Sequence, residues 1–393
     1  MLFKHLRKID STANNNRDYI MEQVDERKFT VSYGRYGAAM MKKPYPISQW
    51  DKILAEKLSS GYTDVTDTIQ IVVQEVSEEI YKPLENKMVS KLVEKLMSYA
   101  NMALKKSYKI TAKEVSEKMI EMAQDKIHNL TISPTLESFN QTLEELFAIL
   151  PRKMQDVKEY LAASEEDFND ILEREQDLLD IMSTKVSQLS NSSSIEGEKT
   201  ILETMGLSIY PCTEEQTDEI KNFLDPETRD KFDSAYRVIN KKTESTFKNF
   251  CKDNHIGRKD IHYFYHGSRN QNFWSIICNG LKLKPQAIRT GNMFGYGIYF
   301  APLAKKSVGY TSLNGFWSKE HSKEGYLAIF KVAYKKPFDV HSWQHEYSQY
   351  TKHHIKAKGC DALFAHAGIS LRNDEVIVYD ESQCTIQYLI RLK

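Results

Sequence analysis

The chain has 393 residues, 41% hydrophobic and 27% charged, the composition of a folded globular protein with room for two or three domains. It contains no apolar run of about 18 residues and no apolar segment typical of a secretory signal at its start. We therefore expect a soluble intracellular protein, nuclear in a eukaryote and cytoplasmic in a prokaryote. The five cysteines form no Cys-x-x-Cys pair, which argues against a zinc finger or a disulfide framework.

Charge is distributed unevenly along the chain. Residues 1–70 carry 11 Lys and Arg against 9 Asp and Glu, residues 71–200 carry 16 against 24, and residues 201–393 carry 27 against 21. These counts fit a chain of three parts with an acidic centre. No part is basic enough to predict nucleic-acid binding from charge alone.

The first part predicts a small β-rich module with one helix. Residues 15–37 alternate polar and apolar side chains on both sides of a turn-like Asp-Glu-Arg, which predicts an antiparallel hairpin. Residues 42–48 contain two prolines and predict a loop. The apolar residues from Trp50 to Leu58 then have helical spacing, which predicts a helix.

The middle part, residues 76–190, has the period of amphipathic helices. Residues 136–150 show a one-sided apolar stripe, and Ser133 with the proline after it predicts the helix start. Thr111 and Glu114 form the sequence pattern of a capping box. We interpret the apolar stripes as the core of an all-helical domain rather than as a cofactor site.

The Ser-rich residues 187–200 predict a linker. Beyond them, short β-rich runs alternate with short helical segments and predict an α+β domain with a compact, mostly antiparallel sheet. One glycine-rich stretch, residues 291–301, directly precedes an aromatic strand. It is not a dinucleotide fingerprint, because Phe300 stands where the third glycine is needed, and no Gly-Lys-Ser/Thr follows as a P-loop requires.

Three segments of this last domain carry polar residues at strand ends. His266-Gly267-Ser268 follows an aromatic strand, Tyr299 lies on the strand after the glycine-rich stretch, and Glu375 opens an apolar strand. Ser307 and Tyr310 lie on the helical segment after Tyr299. Each of them alone also fits ordinary packing or a solvated charge at a strand end.

Together, in this order and with these flanking strands, the segments resemble the catalytic domain of the poly(ADP-ribose) polymerase family. The resemblance extends to the helical part, which is similar to the family's regulatory helical domain at "KITAKEVSEKM", "FAILP" and "DLLDI", and to the first part, where "YGRYG" resembles the Trp-Gly-Arg segment of a WGR domain. It implies a multidomain α+β chain: a WGR-like module in residues 1–72, a helical regulatory domain in residues 76–190, and an α+β ADP-ribosyltransferase domain with antiparallel sheets in residues 200–393.

The resemblance also implies roles for single residues. Glu375, His266 and Tyr299 are the expected catalytic triad. Gly267 and Ser307 are expected to bind the nicotinamide carboxamide of NAD+, between the rings of Tyr299 and Tyr310. The residues expected near the adenosine half are His266, Ser268, Asn272 and Lys282, the last replacing an arginine of many relatives. The residues expected to contact DNA are Tyr33, Gly34 and Arg35.

The chemistry of these residue types agrees with that expectation. Nicotinamide is a flat cation in NAD+, which suits two tyrosine faces, and a carboxylate stabilises the positive charge that develops on the ribose. The implied function is an NAD+ ADP-ribosyltransferase that acts on proteins, itself included, uses NAD+ as co-substrate without a metal, is stimulated by DNA breaks and binds no membrane. Two alternatives remain open: a catalytically silent protein that binds NAD+ or DNA ends, and a first module that binds protein or nothing.

Overall fold

The structure is a computed structural model, and it describes residues 1–11, 14–36, 38–66, 81–133, 135–192, 199–283, 293–313, 318 and 321–393. The backbone contacts divide the chain into two compact units. The first unit consists of residues 1–76 and 104–186, and the second of residues 77–103 and 187–393. The three domains expected from the sequence stay a prediction.

A five-stranded antiparallel sheet forms the start of the first unit. Its strands are β1 (Phe3–Asp10), β2 (Asn15–Gln23), β3 (Lys28–Arg35), β4 (Met41–Pro46) and β5 (Thr63–Asp64), in the spatial order β4-β3-β2-β1-β5. Helix α1 (Trp50–Ser59) packs its Trp50 and Ile53 against the buried Met21, Phe29 and Val31 of the sheet. These contacts bury one face of the sheet.

The predicted hairpin is confirmed, because β2 and β3 pair in antiparallel register from Arg17 opposite Arg35 to Gln23 opposite Phe29. The predicted loop over residues 42–48 is wrong, because most of it lies in β4. This strand is at the edge of the sheet and pairs with β3 on one side. Among the described residues, its other side has no neighbouring strand that needs a backbone N–H donor, so its two prolines are tolerated.

Four longer helices follow: α2 (Lys87–Ser107), α3 (Glu117–Thr131), α4 (Leu136–Ile149) and α5 (Phe168–Ser192). The apolar stripe predicted for α4 is confirmed, since its Phe139 is fully buried and stacks on Phe168 at a ring distance of 3.8 Å. In the first unit, α4 also contacts β1, where the Arg7 guanidinium donates to the Ala148 carbonyl at 3.0 Å. The sheet of the first unit therefore packs against α4.

Three details of the helices differ from the predictions. Thr135, rather than Ser133, caps α4, and the proline between them lies outside the described residues. The capping box of Thr111 is real, but it begins a short 3-10 helix, and Ser116 caps α3. The first six residues of the predicted linker belong to α5, which ends at Ser192.

The described residues of the second unit form two sheets. The first has the order β6-β7-β14-β10-β8 and consists of β6 (Leu207–Pro211), β7 (Phe232–Asn240), β8 (Ile261–Gly267), β10 (Gly325–Ala333) and β14 (Cys384–Leu392). The other has the order β11-β12-β13-β9 and consists of β9 (Ile298–Phe300), β11 (Pro337–Val340), β12 (Ala362–Ala365) and β13 (Glu375–Val378). All described pairs in them are antiparallel except β11 with β12, so the mostly antiparallel α+β expectation is confirmed.

Short helices connect these strands. They are α6 (Ile201–Thr204), α7 (Glu214–Phe223), α8 (Pro226–Arg229), α9 (Lys241–Asp253), α10 (Phe273–Asn279), α11 (Ala304–Val308) and α12 (Lys352–Ala357). Helix α11 packs between β8 and α8, and its Ala304 and Val308 are buried in the same apolar cluster as Leu224. This places α11 beside the end of β8, where His266 and Gly267 lie.

Candidate active site

The two sheets of the second unit meet at Tyr265 on β8 and Ala301 just after β9. Their backbones exchange two hydrogen bonds, of 2.9 and 3.0 Å. On β13, Ile377 pairs with Tyr299, and Glu375 lies two residues before Ile377 on the same face of the strand. The junction therefore brings the expected triad residues onto adjacent strand ends.

Two glycines shape the turn that precedes Tyr299. Gly295 has a φ of +74°, and a Cβ there would lie 2.2 Å from the Tyr350 carbonyl oxygen. A Cβ on Gly297 would lie 2.1 Å from the Ile377 side chain. Only glycine fits at either position without displacing its neighbours. The first two residues of the glycine-rich stretch, 291 and 292, lie outside the described residues.

The hydroxyl group of Tyr299 is bound to this same turn. It donates to the Gly295 carbonyl at 3.0 Å and accepts from the Phe294 backbone N–H at 3.1 Å. Burial raises the pKa of Tyr299 well above its ordinary value, and the nearby charge of Glu375 acts in the same direction. The Tyr299 ring is therefore a neutral, fixed surface beside Glu375.

His266 is oriented by the backbone of the neighbouring strand. Its Nδ1 donates to the Tyr299 carbonyl at 3.1 Å, because a carbonyl oxygen can only accept. The imidazole meets the rings of Phe300 and Phe330 edge to face, each at 6.1 Å. In the neutral form of the ring, Nε2 is therefore the accepting nitrogen.

Gly267 lies directly against α11. A Cβ there would lie 1.9 Å from the Ser307 carbonyl oxygen, so the two backbones approach as closely as only glycine allows. The Ser307 side chain is buried, whereas Tyr310 is 42% exposed and its N–H donates to the Ser307 carbonyl at 3.1 Å. The residues expected to bind the carboxamide and to stack on the ring thus lie side by side.

A lysine that the sequence analysis missed joins this group. Lys306 and Glu375 form an ion pair in which each side chain is only 13% exposed. Its position next to Ser307 could have indicated that Lys306 lies at the site. However, Lys306 is the second of two consecutive lysines, a pattern typical of solvent-exposed charges. The pair fixes the carboxylate and places a cation beside it.

The residues expected near adenosine divide into two groups. Asn272 is buried at the start of α10 and donates to the Ser268 hydroxyl at 3.0 Å, two residues from His266. The contacts of Lys282 lie elsewhere, because its Nζ pairs with Glu381 at 2.8 Å. The structure thus joins Ser268 and Asn272 by a hydrogen bond close to His266 in the chain, whereas Lys282 pairs with Glu381.

Residues 215–393 match the family described as "Poly(ADP-ribose) polymerase catalytic domain". The "Uncharacterized protein 101L" of Invertebrate iridescent virus 6 is 32% identical over 178 residues, which are 44% of this chain and 74% of that protein. The "Poly [ADP-ribose] polymerase" of Drosophila melanogaster is 31% identical over 152 residues, 33% of this chain and 15% of that protein. "Poly [ADP-ribose] polymerase 1" of Gallus gallus is 32% identical over 151 residues, 33% of this chain and 14% of that protein.

The chain belongs to the poly(ADP-ribose) polymerase family. Its matched region carries the family's NAD+ ADP-ribosyltransferase domain and contains every expected catalytic and NAD+-binding residue. The match does not reach residues 1–214, so the WGR-like module and the regulatory helical domain stay predictions. The chain spans about a seventh of the two animal relatives, so the activities and partners of those whole proteins remain proposals for it.

In this polymerase family member, the residues expected to contact DNA lie on β3 in the first unit. Arg35 is exposed at the end of the strand, opposite the exposed Arg17 of β2. The ring of Tyr33 lies 6.2 Å from that of Tyr19, and Lys57 lies over the same Tyr19 ring at 4.5 Å. We name this group the basic-aromatic patch; it consists of Arg17, Tyr19, Tyr33, Arg35, Lys57 and Tyr62.

Within the described ranges, no group of three or more His, Cys, Asp or Glu residues could hold a metal ion. No described helix is long and apolar enough to span a membrane.

Proposed function

We propose that this poly(ADP-ribose) polymerase family member cleaves the bond between nicotinamide and ribose in NAD+ and transfers ADP-ribose to protein acceptors, including itself. The observation that carries the proposal is the group of His266, Tyr299 and Glu375 at the junction of the two sheets, with Lys306 paired to the carboxylate. A silent NAD+-binding protein would need the pocket but not this largely shielded charge pair.

The nicotinamide half binds between two rings. Tyr299 supplies a fixed face, and the more exposed Tyr310 supplies the other by stacking on the cationic ring. The carboxamide meets the Gly267 backbone and the Ser307 hydroxyl, whose close approach depends on the missing Cβ. His266 uses its accepting Nε2 for a ribose hydroxyl of the adenosine half, helped by Ser268 and Asn272.

Glu375 acts in the transition state. Loss of nicotinamide leaves positive charge on the ribose, and a carboxylate held in a fixed place stabilises this charge more than it stabilises bound NAD+. The same carboxylate can accept a hydrogen bond from an acceptor hydroxyl group and so polarise it. Lys306 holds the carboxylate in orientation while both side chains are shielded from water.

Labelled NAD+ tests the proposal directly. The full chain should release nicotinamide and label protein, and Glu375→Gln should do neither at a comparable rate. If nicotinamide is not released, with or without nicked DNA, while NAD+ still binds, the chain is a silent binder. Gel analysis of the labelled product shows whether single units or polymers are made.

We propose further that the first unit binds DNA ends and that DNA breaks stimulate the enzyme. Like charges directly opposite each other in a sheet are unfavourable, and Arg17 opposite Arg35 suits a phosphate between them. The partly exposed Tyr33 of the basic-aromatic patch supplies a face on which a base or sugar can stack. DNA-break binding would place the protein in DNA repair, and in the nucleus if its source is a eukaryote.

The helical part is proposed to restrain the enzyme in the absence of DNA. Within the second unit, Tyr99 of α2 donates to Glu324 at 2.5 Å, and Lys95 pairs with the same carboxylate at 2.6 Å. The Glu324 carbonyl accepts from the Asn270 side chain at 3.1 Å, in the loop that joins Ser268 to Asn272. Two successive contacts, through Glu324 and Asn270, therefore connect helix α2 to the loop between Ser268 and Asn272.

A further inference from the structure

Helix α11 carries both Lys306 and Ser307 but is poorly able to hold its own position. It has only five residues, so it makes few internal hydrogen bonds. The residue at its N-cap position is Leu303, whose side chain cannot accept a hydrogen bond from the free N–H groups of the first turn. A side-chain acceptor for these N–H groups can therefore come only from another residue.

Asp225 supplies that acceptor from a different element. Its Oδ2 accepts the Lys305 backbone N–H, at the second position of α11, at a distance of 2.8 Å. The same carboxylate caps α8, where it accepts the Thr228 N–H at 3.1 Å and the Thr228 hydroxyl at 2.9 Å. One carboxylate therefore caps two helices and fixes α11 against α8.

The backbone around Asp225 is itself held in place by contacts with Arg229. Arg229 donates its backbone N–H to the Asp225 carbonyl at 2.9 Å, and its guanidinium donates to the Leu224 carbonyl at 3.1 Å. Leu224 is buried in the same apolar cluster as Ala304 of α11. Although burial alone would raise the pKa of Asp225, the hydrogen bonds from Thr228 and Lys305 outweigh it and lower the pKa, so the group is an anion at neutral pH.

We propose that Asp225 is a positioning residue for the ADP-ribosyl transfer: its carboxylate holds α11 so that Lys306 meets Glu375 and Ser307 meets the nicotinamide carboxamide beside Gly267. This inference rests on the proposed function. Charge-assisted bonds to a carboxylate are stronger than neutral ones, so a neutral residue at position 225 holds α11 less firmly. Small displacements of groups next to reacting atoms cost large factors in rate.

Asp225→Ser separates the two roles of the carboxylate. Serine is a good N-cap and keeps the bond to the Thr228 N–H, but it is too short to reach the Lys305 N–H as well. Lys305→Ala is the matched control, because it keeps the backbone N–H and removes only the exposed ion pair between Lys305 and Glu227. Both variants are made in the full chain.

Two readouts are compared with wild type after circular dichroism and thermal unfolding. The first is the dissociation constant for benzamide, a probe that mimics the nicotinamide carboxamide and needs no turnover. The second is the rate of nicotinamide release from NAD+. Asp225→Ser should weaken benzamide binding about tenfold and lower kcat about tenfold, whereas Lys305→Ala should match wild type.

A double-mutant cycle distinguishes positioning from general destabilisation. In a Lys306→Ala background, Asp225→Ser should lower kcat much less than in wild type, because the contact it positions is already gone. Wild-type benzamide binding and turnover in a folded Asp225→Ser protein would overturn the inference, and so would losses that add fully with Lys306→Ala. A wild-type chain that binds benzamide but releases no nicotinamide contradicts the proposed function, and the benzamide comparison then decides the role of Asp225.

Discussion

Lys306 of α11 and Glu375 of β13 form an ion pair in which both side chains are nearly buried. The two residues are far apart in the chain, and they meet because β9, which precedes α11, pairs with β13. The pairing places a cation next to the one carboxylate on which the proposed transfer depends.

Glu375→Gln keeps the shape and a hydrogen-bond acceptor but removes the negative charge. We expect kcat to fall about 100-fold or more, on the order of 3 kcal/mol, with little change in KM for NAD+, because the charge acts in the transition state. If the parent makes polymer, the product should shorten toward single units. Steady-state kinetics and product gels measure both. Near-normal kinetics in a folded variant would mean that Glu375 is only a charge at a strand end.

Tyr310→Ala should give the opposite kinetic pattern. The ring is 42% exposed and is proposed to stack on bound nicotinamide. Its loss should raise KM for NAD+ several-fold, with a smaller change in kcat, because stacking holds the ground state as well as the transition state. Tyr263→Ala is the control, since this tyrosine is also exposed but lies on β8 four residues before Gly267. An unchanged KM would remove Tyr310 from the nicotinamide pocket.

Arg35→Ala should weaken binding to DNA ends and lower DNA-stimulated turnover together, leaving turnover without DNA unchanged. Arg17→Ala should act in the same direction, because the two arginines lie opposite each other. In each variant, the slope of the logarithm of the binding constant against the logarithm of salt concentration should also decrease by about one, because one phosphate contact is lost. Arg27→Ala, an exposed arginine in the turn between β2 and β3, serves as the control. Wild-type affinity in both patch variants would exclude the basic-aromatic patch from the interface.

Removing the contacts of α2 with Glu324 should raise the rate of nicotinamide release in the absence of DNA. Tyr99→Phe combined with Lys95→Ala removes both contacts of the helix to this carboxylate but leaves its bonds to Arg391. We expect DNA-free nicotinamide release to rise several-fold and the stimulation by nicked DNA to shrink. Lys91→Ala, an exposed lysine on the same helix, should change neither rate. A folded double variant with the wild-type DNA-free rate would argue against restraint through this contact.

The buried Asp18 should make the first unit sensitive to acid. Burial favours a higher pKa, but hydrogen bonds and charges from His5 and Arg7 outweigh it and lower the pKa of Asp18 below its ordinary value. Because the folded pKa is the lower one, the charged group stabilises fully above about pH 4, and this stability is lost as the pH falls through the folded pKa.

Asp18→Asn leaves the buried Arg7 without its counterion and should cost about 3 kcal/mol at pH 7. Hydrogen exchange of the β1 and β2 amides measures this opening free energy locally. The difference from wild type should shrink as the pH is lowered below 4. Asp25→Asn is the control: this exposed carboxylate pairs with Lys28 and accepts the backbone N–H groups of Arg27 and Lys28, which an asparagine oxygen can also accept, so little should change at any pH. Equal protection of the β1 and β2 amides in Asp18→Asn would contradict the prediction.

Local sequence pattern predicted the strands around the expected site residues but not the edge strand β4 of the first unit. The runs around Tyr299 and Glu375 are short, aromatic or β-branched, and flanked by turn residues, so local pattern identified them. Strand β4 was missed because proline normally breaks a strand, and only its place at the sheet edge makes proline acceptable. The pairing of Lys306 with Glu375 depends on which strands become neighbours, a long-range property that no local pattern contains. Asp225 was missed for the same reason, since its sequence pattern shows only the cap of α8.

The prolines of β4 also bear on how the protein behaves at high concentration. An open sheet edge with free backbone donors can pair with the edge of another molecule and begin aggregation. Pro44 and Pro46 lack those donors, and the exposed Lys42 and Lys43 add like charges along the same edge. The prolines and lysines of β4 thus disfavour pairing of this sheet edge with a second chain.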